Sequence, residues 1–411
     1  MRTVLLPLLQ MNVRRFVLPF LLCFTAACAP SDPQTMRDLR RALASASDAG
    51  AKAALVEHYV ASHPNPSIED NSRLTFFVKD DGTGRQPRLV GDFNTWSMGP
   101  QGYDRTAGVP TRIEGTPWSM YETKGFSNAR LEYVFLYDDE KDKDKASVPD
   151  PLNPRKVRTF AGDRSEIRMP AFISHPELDE PAAAPKGTLT QESFTSAQLK
   201  GTRRIWIYLP ADYEKTQTLY PVAYVLDGGN YADWMHVPAV FDTLIASKRV
   251  PPFIAVFVEP GERQEEYSRN QNWRAFVTSE LVQSIDKRFR TFPAPEQRVV
   301  IGSSLAGYGA VDLVVASPDV FGLCAVLAPP SKTQTLITNQ VQGQRAIHGV
   351  RFYILGALYD TDVKGARELR TALDIATADV HYDEVPEGHG SETFRGYLGS
   401  ALKTLLPSPP S

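Results

Sequence analysis

The chain has 411 residues, 42% of them hydrophobic and 23% charged, a composition typical of folded globular proteins that excludes a disordered or collagen-like chain. At roughly 100 to 200 residues per domain, this length predicts two or three domains. Lysine and arginine total 45 against 48 aspartate and glutamate, a formal net charge of −3, and no basic stripe is dense enough to bind a phosphate backbone. We therefore expect no nucleic acid partner.

The first 28 residues have the pattern of an export signal. Arg14 and Arg15 precede the apolar run 16–25, and small residues follow up to Cys28. The apolar run is shorter than the roughly 20 residues that a membrane-spanning helix needs. The pattern therefore predicts a signal segment over residues 1–28, with either Met1 or Met11 as the true start.

The residues before Cys28 resemble a bacterial lipoprotein processing site, although Thr25 stands where leucine is usual. This resemblance implies that Cys28 is acylated and attaches the mature protein to a membrane. Ordinary signal cleavage beside a spectator cysteine is the alternative. In either case we expect an exported protein, which is periplasmic or an outer-membrane lipoprotein.

The next part of the chain contains helical and then β-type patterns. Apolar spacing predicts an N-terminal helical segment over residues 33–66. Short β-type runs separated by Gly, Pro, Asn and Asp predict a β-sandwich domain over residues 67–172. Residues 173–187 are rich in Pro and Ala and lack periodicity, which is typical of a linker.

Residues 188–405 alternate between buried β-type runs and helical patterns, which predicts an α/β domain with a mostly parallel sheet. The predicted strands are 204–209, 222–226, 254–258, 298–301, 322–327, 351–355 and 380–385, and the predicted helices include 273–288, 306–316 and 364–373.

The predicted strand 298–301 leads into Gly302-Ser303-Ser304-Leu305-Ala306, a G-x-S-x-small pattern that opens a helix. Such a pattern places Ser304 on a tight turn, where its hydroxyl can act as a nucleophile. The backbone N–H of Leu305 can then donate to an anionic oxygen. Ser303 is the rival nucleophile, one residue early for the turn.

A serine nucleophile needs a base to take its proton. His389 fits this role because it directly follows the last predicted strand, and parallel sheets carry their chemistry at strand carboxyl ends. The acid that orients the histidine is expected after the strand 351–355, where Asp360 is favoured and Asp362 is the alternative. Asp362 can instead cap the helix that follows. The remaining alternative is a dyad of Ser304 and His389 in which no carboxylate contacts the histidine.

A second N–H donor for the anionic oxygen is expected in the loop after the strand 222–226. Gly228 and Gly229 lie there, and glycines let a backbone approach a ligand closely. Either N–H is a candidate, and the neighbouring Asp227 is expected to be a turn residue.

Several segments together resemble the enterochelin (ferric enterobactin) esterase branch of the α/β-hydrolases over residues about 188 to 405. They are VLDGGNYADW, VPPFIAVFVEPGERQEEYSRN, SELVQSIDKRF, IGSSLAGYGA and EVPEGHGSETFRGYL. Upstream, LVGDFNTW and DPLNPRKVRTFAGDRSEIRMP resemble the glycogen-binding-type, immunoglobulin-like domain that precedes the hydrolase in those esterases.

The resemblance implies Ser304 as nucleophile, His389 as base and an acid at Asp360 or Asp362. Two departures concern the site. Ala306 stands where many relatives have glycine, and Phe394 stands where a tryptophan often precedes the arginine. The second departure touches a wall of the pocket, so substrate identity is the least specified property.

Together these observations predict an exported, cofactor-free serine esterase that forms an acyl-enzyme on an ester of a catecholate siderophore or a similar aromatic acid. One alternative is a feruloyl or acetyl polysaccharide esterase that acts on a glycan-linked ester, with Trp96 of the sandwich stacking on a sugar. The other is a binding protein whose hydrolase half is inert. Nothing in the sequence specifies the oligomeric state.

Overall fold

The structure is a computed structural model that describes residues 33–83, 85–99, 102–137, 147–159, 162–179, 184–342, 347 and 349–406. The predicted signal segment and Cys28 lie outside the described residues. Within these ranges, no helix has the length and the apolar character needed to cross a bilayer.

The described chain begins with two helices, α1 (Met36–Ser45) and α2 (Ala49–Ser62). Each starts at a side-chain cap, because Thr35 accepts the N–H of Asp38 at 3.1 Å and Asp48 accepts the N–H of Ala51 at 2.8 Å. Their apolar residues share a core with Phe77 and Trp118 of the sheet that follows. The helices therefore cover one face of that sheet.

The described residues between 67 and 168 form two antiparallel sheets and a small two-stranded hairpin. The strands are β1 (Ser67–Glu69), β2 (Arg73–Lys79), β3 (Arg88–Gly91), β4 (Met98–Gly99), β5 (Gly102–Tyr103), β6 (Thr111–Arg112), β7 (Trp118–Lys124), β8 (Arg130–Leu136), β9 (Ser147–Val148), β10 (Lys156–Thr159) and β11 (Gly162–Arg168). One sheet has the order β1-β2-β7-β6, and the other has the order β10-β11-β8-β3 with β9 paired to β8. Buried side chains from both sheets, including Phe76, Leu131 and Tyr133, form one hydrophobic core.

After the short helix α3 (Pro176–Asp179), the chain builds an eight-stranded sheet in the order β12-β13-β15-β14-β16-β17-β18-β19. The strands are β12 (Thr188–Ser196), β13 (Gly201–Leu209), β14 (Val222–Leu226), β15 (Ile254–Val258), β16 (Arg298–Ser303), β17 (Leu323–Leu327), β18 (Arg351–Ala357) and β19 (Asp379–Val385). The two strands β12 and β13 are antiparallel to their neighbours, and the other six run parallel to one another.

The α-helices in the described residues of this part are α4 (Val237–Ala246), α5 (Arg263–Glu266), α6 (Gln271–Ala275), α7 (Val282–Arg288), α8 (Leu305–Ala316), α9 (Gln334–Gln342), α10 (Val363–Ile375), α11 (Ser391–Gly396) and α12 (Leu398–Leu405). Alternate residues of β14 belong to two different cores: Val222 and Tyr224 pack in one, Ala223 and Val225 in the other. Because side chains alternate along a strand, the two cores lie on opposite faces of the sheet. All five residues of β14 are therefore buried.

Two elements differ from the sequence-based expectation. The edge strand β12 was not predicted, because most of its side chains are exposed and polar and give no alternating apolar signal. The predicted helix 273–288 is divided, with a π-helical stretch at Phe276–Leu281 between α6 and α7.

Candidate active site

The candidate nucleophile Ser304 lies between the end of β16 and the start of α8, with φ 54° and ψ −128°. This conformation is rare for a residue with a side chain and costs roughly 1–3 kcal/mol. Two hydrogen bonds hold the turn: Ser304 N–H donates to the Leu327 carbonyl at 2.9 Å, and the Ser304 carbonyl accepts the Gly307 N–H at 2.9 Å. The turn thus presents the half-buried Ser304 at the carboxyl edge of the sheet, whereas Ser303 is buried.

The small residues around Ser304 are required by packing. A Cβ at Gly302 would overlap the carbonyl oxygen of Ala306, so no larger residue fits at position 302. Ala306 itself is fully buried. The alanine that stands in place of the more usual glycine is therefore accommodated without opening the turn.

His389 follows β19 and contacts one carboxylate directly. Its Nδ1 lies 2.6 Å from Oδ2 of Asp360, which is 6% exposed. The other oxygen of Asp360 accepts the N–H of Asp362 at 2.9 Å, so both carboxylate oxygens are held. The ring of Phe394 meets the imidazole edge-on at 5.1 Å between centroids. An acid with one fixed orientation and an imidazole in contact with it are what a general base needs.

Asp362 occupies the position before α10, where it was expected to cap the helix with its side chain. Its side chain makes no capping hydrogen bond to the helix. Instead, its Oδ1 accepts the hydroxyl of Ser331 at 3.1 Å. The expectation that Asp362 caps the helix is therefore wrong, because its carboxylate is directed to a neighbouring loop.

Hydrogen bonds beyond the strand ends place Ser304, Asp360 and His389 at one edge. Parallel pairing joins β16, β17, β18 and β19 in that order, and the Ala328 N–H donates to the Leu355 carbonyl at 2.8 Å just past the end of β17. Within the described part of the chain, no hydrogen bond joins the Ser304 side chain to the His389 ring. The structure thus brings Asp360 and His389 into contact and leaves Ser304 at the same edge without a bond to the imidazole.

The candidate oxyanion donors differ in their present partners. Leu305 is the first residue of α8, and the first amides of a helix have no intrahelical acceptor. The Gly229 N–H donates to Oε2 of Glu259 at 2.5 Å. Gly228 packs against β15, since a Cβ there would lie 2.6 Å from the Val258 nitrogen. One of the two loop amides is therefore already bound to a carboxylate.

Asp227 holds this loop in shape. It has φ 58°, and its carboxylate accepts three bonds from Arg263 at 2.7 to 3.0 Å. Its N–H donates to the hydroxyl of Tyr267 at 2.9 Å. These contacts make Asp227 a structural residue of the turn.

The loop that carries His389 is also contacted by the two-sheet part of the chain, through a pair of residues that no sequence motif indicates. Arg130 lies 3.3 Å from Oε2 of Glu387, two residues before the histidine. The only local signal is that glycine stands on both sides of His389 in EGHG. Such glycines indicate that other atoms approach this backbone closely, but the sequence alone does not identify those atoms.

The aromatic residues of the two-sheet part have distinct environments. Phe93 packs on Phe76 and Tyr133 of its core at 5.2 and 6.1 Å between ring centroids. The Arg164 guanidinium lies 4.3 Å from the ring centroid of Trp96. One face of Trp96 is therefore covered by a cation.

Among the residues described by the structure, no group of three or more His, Cys, Asp or Glu side chains could hold a metal ion. Cys324 is a free, buried thiol, and burial raises its pKa well above the usual range. It is therefore poorly suited to nucleophilic chemistry.

Comparison with known proteins gives consistent matches. A family described as "putative esterase" matches residues 196–405. Iron(III) enterobactin esterase of Escherichia coli (strain K12) is 24% identical over 326 residues, which cover 72% of this chain and 80% of that protein. The endo-1,4-beta-xylanase/feruloyl esterase of Xylanibacter ruminicola is 26% identical over 156 residues, or 34% of this chain and 22% of that protein.

Among solved structures, the enterobactin esterase of Shigella flexneri, crystallised in the presence of enterobactin, superposes with a TM-score of 0.70 at 22% identity. The match covers 85% of this chain and 97% of that one. The expected α/β-hydrolase fold is thereby confirmed.

Proposed function

Because the chain belongs to the putative esterase family, with enterochelin esterase-like relatives, we propose that it hydrolyses esters through Ser304, His389 and Asp360. The observation that carries this proposal is the 2.6 Å contact between Nδ1 of His389 and Oδ2 of Asp360 at the edge where the Ser304 turn also lies. Family membership makes the chain an esterase; the use of a serine nucleophile is our proposal.

In the proposed reaction, the Ser304 hydroxyl attacks the ester carbonyl and gives its proton to Nε2 of His389. Asp360 accepts the N–H of Nδ1 and stabilises the imidazolium that forms. Because the free site has no bond between Ser304 and His389, we expect the serine side chain to turn toward Nε2 when substrate binds.

The carbonyl oxygen becomes negatively charged as the bond from Ser304 forms. The N–H groups of Leu305 and of Gly228 or Gly229 are proposed to donate to it. His389 then protonates the leaving alcohol, which departs and leaves an acyl group on Ser304. A water molecule, deprotonated by His389, releases the acid and restores the serine.

We propose an ester of a catecholate siderophore or a related aromatic acid as the substrate. The relative from Escherichia coli, named an iron(III) enterobactin esterase, and the Shigella flexneri structure obtained with enterobactin support this class. A feruloyl or acetyl polysaccharide ester is the second candidate, supported by the shorter match to the Xylanibacter ruminicola enzyme. An inert hydrolase-fold binding protein is the remaining alternative.

We further propose that the protein is exported and attached to a membrane through acylated Cys28, on the sequence pattern of residues 1–28. Residues 67–172 are proposed to be an immunoglobulin-like domain. The two antiparallel sheets that share one core support this assignment.

The test of the enzyme proposal is to compare wild type, Ser304→Ala and Ser303→Ala in two assays. A fluorophosphonate probe should label wild type and Ser303→Ala, and it should not label Ser304→Ala. Hydrolysis of nitrophenyl esters should fall by about 10⁴-fold or more in Ser304→Ala, since the nucleophile is removed. Turnover near wild type in Ser304→Ala would contradict the serine mechanism, and an unlabelled wild type without turnover would favour the binding protein. A panel of a cyclic catecholate siderophore, a feruloylated oligosaccharide and an acetylated xylan then separates the substrate classes.

A further inference from the structure

The sheet β10-β11-β8-β3 meets the loop 386–390 that carries His389. The Arg130 N–H donates to the carbonyl of Pro386 at 3.3 Å, and the Arg130 side chain reaches Oε2 of Glu387 at 3.3 Å. From the part of the chain that contains the eight-stranded sheet, the N–H of Tyr359 donates to the Glu387 carbonyl at 3.0 Å. The residues that precede His389 are thus held from both parts of the chain.

Arg130 is the centre of a buried ionic cluster. Its guanidinium donates to Glu132 and to Glu166 at 2.8 Å each, in addition to Glu387. The side chains of these four residues are at most 6% exposed. The register places Arg130, Glu132 and Glu166 on one face of the sheet, opposite the apolar core face that carries Leu131.

Outer arginines complete the charge balance of this cluster. Arg164 pairs with Glu132 at 3.1 Å, and Arg168 pairs with Glu166 at 3.1 Å. Buried charges are tolerated only when their partners keep a defined geometry, because an unpaired one costs several kcal/mol. The face that meets the His389 loop is therefore held together by paired charges.

The two glycines beside His389 fit closely against this face. A Cβ at Gly388 would overlap the carboxylate of Asp92, and a Cβ at Gly390 would lie 2.7 Å from Oε1 of Glu132. Neither glycine has a left-handed φ, and Gly390 is extended with φ −131° and ψ 158°. The extended backbone of Gly390 would accept alanine, and Gly388 has no left-handed φ, so the two carboxylates are the contacts that exclude a side chain at these positions.

Asp92 has no freedom to move away. It is 3% exposed. Its Oδ1 accepts the indole N–H of Trp96 at 2.8 Å, and its Oδ2 accepts the N–H of Glu132 at 2.7 Å. Asp92 is thus a fixed surface against which the backbone of Gly388 rests.

We propose that Asp92 and Glu132 are positioning residues for His389, which makes the N-terminal two-sheet part a component of the active site. This inference rests on the proposed function, since His389 must be the base. The imidazole itself contacts Asp360 and Phe394, and the backbone on both sides of it is set by the two carboxylates. A shift of the histidine by about 1 Å is enough to lower the rate roughly 100-fold.

The test is a cycle of three variants of the full chain: Gly388→Ala, Asp92→Ala and the double variant. Gly388→Ala should lower kcat roughly 10- to 100-fold with KM changed by less than about twofold, because the base moves and substrate contacts stay. Asp92→Ala alone should also lower kcat several-fold, because the surface behind Gly388 is removed. It makes room for the new methyl group as well, so the double variant should be no slower than Asp92→Ala and the two losses should not add. Gly201→Ala is the matched control, since a Cβ there meets nothing closer than 3.6 Å; it should keep the wild-type kcat.

Losses in kcat that do not add show that Gly388 and Asp92 act through one contact. Measuring kcat and KM well below the melting temperature of every variant separates this positioning effect from a loss of stability, which would not change kcat at an unchanged KM. An unchanged kcat in Gly388→Ala, or losses that simply add in the double variant, would overturn the inference. If Gly388→Ala does not fold at the assay temperature, the pair Gly390→Ala and Glu132→Asp gives the same comparison at the other glycine. Failure of the proposed function is visible separately, as a wild-type protein that neither hydrolyses esters nor reacts with the fluorophosphonate.

Discussion

Oδ2 of Asp360 lies 2.6 Å from Nδ1 of His389, while the carboxylate of Asp362, two residues further along, faces Ser331. Replacing Asp360 with asparagine presents an amide to the imidazole and stabilises the wrong tautomer. We expect Asp360→Asn to lower kcat by up to about 10⁴-fold, the loss known for the same exchange in serine proteases. The measurement is kcat at saturating substrate together with the melting temperature.

Asp362→Asn is the matched control for that substitution. Since Asp362 makes no capping hydrogen bond, its replacement should leave kcat within about threefold of wild type and change the unfolding free energy by less than about 1 kcal/mol. A large loss of turnover in Asp362→Asn would mean that Asp362, and not Asp360, is the acid that orients His389. If neither variant loses turnover, Ser304 and His389 act as a dyad.

Glu259 supplies a prediction about the oxyanion donors. An N–H that holds a carboxylate at 2.5 Å can also hold an oxyanion, so we expect Gly229 to be the second donor once Glu259 is displaced. Glu259→Ala removes the competitor and should raise kcat/KM roughly tenfold, given that a hydrogen bond to a charged group contributes about 1.5–3 kcal/mol.

Glu259→Gln separates charge from competition for the Gly229 N–H. Glutamine keeps an oxygen acceptor for this N–H, so its gain in kcat/KM should be smaller than that of alanine. An unchanged or lower kcat/KM in Glu259→Ala would instead leave Gly228 as the donor. The ion pair to Arg204, at 3.6 Å and partly exposed, should contribute little to stability.

The positions of Ser304 and Asp360 could be predicted because each follows a strand whose apolar run is visible locally. The position of His389 could be predicted because it follows the last β-type run of the chain, residues 380–385. Their roles in catalysis stay predictions. The turn at Gly302 to Ala306 is equally local, since its small residues and the strand before it are adjacent in sequence. Parallel strands bring their carboxyl ends to one edge, so sequence order alone gathers these residues.

The contact between Arg130 and Glu387 could not be predicted in this way. The two residues are 257 positions apart in the sequence, and neither lies in a sequence motif that indicates its partner. A buried arginine among carboxylates has the same local sequence as an exposed one on a polar sheet face. The strand β12 was missed for a related reason, because its exposed polar residues have no apolar period.

Attachment through Cys28 is tested by its removal. When the full chain is expressed in a bacterium, we expect Cys28→Ala to abolish incorporation of an alkyne-labelled fatty acid and to move the protein from the membrane to the soluble fraction. Cys23 is expected to leave with the signal segment, so Cys23→Ala should behave as wild type. Equal fractionation of all three proteins, without label, would contradict acylation.

The last prediction concerns pH and the Asp92 carboxyl group. Burial, together with the negative charge of Glu132, raises the pKa of Asp92 to about 7, and the hydrogen bonds from Glu132 and Trp96 oppose this only in part. In the unfolded chain its pKa is about 3.9. Between these values the folded protein holds a proton that the unfolded chain has released, so this group's contribution to stability is complete below about pH 4 and is lost as the pH rises to 7.

Asp92→Asn has no proton to lose at this position, whereas the other titrating groups are common to both proteins. The unfolding free energy of wild type minus that of Asp92→Asn should therefore fall steadily from about pH 4 to about pH 7 and become constant above pH 8. Urea denaturation of both proteins at several pH values across this range measures the difference. A difference that stays constant or rises with pH would mean that Asp92 is ionised in the folded protein throughout, and that the face against Gly388 carries a full negative charge.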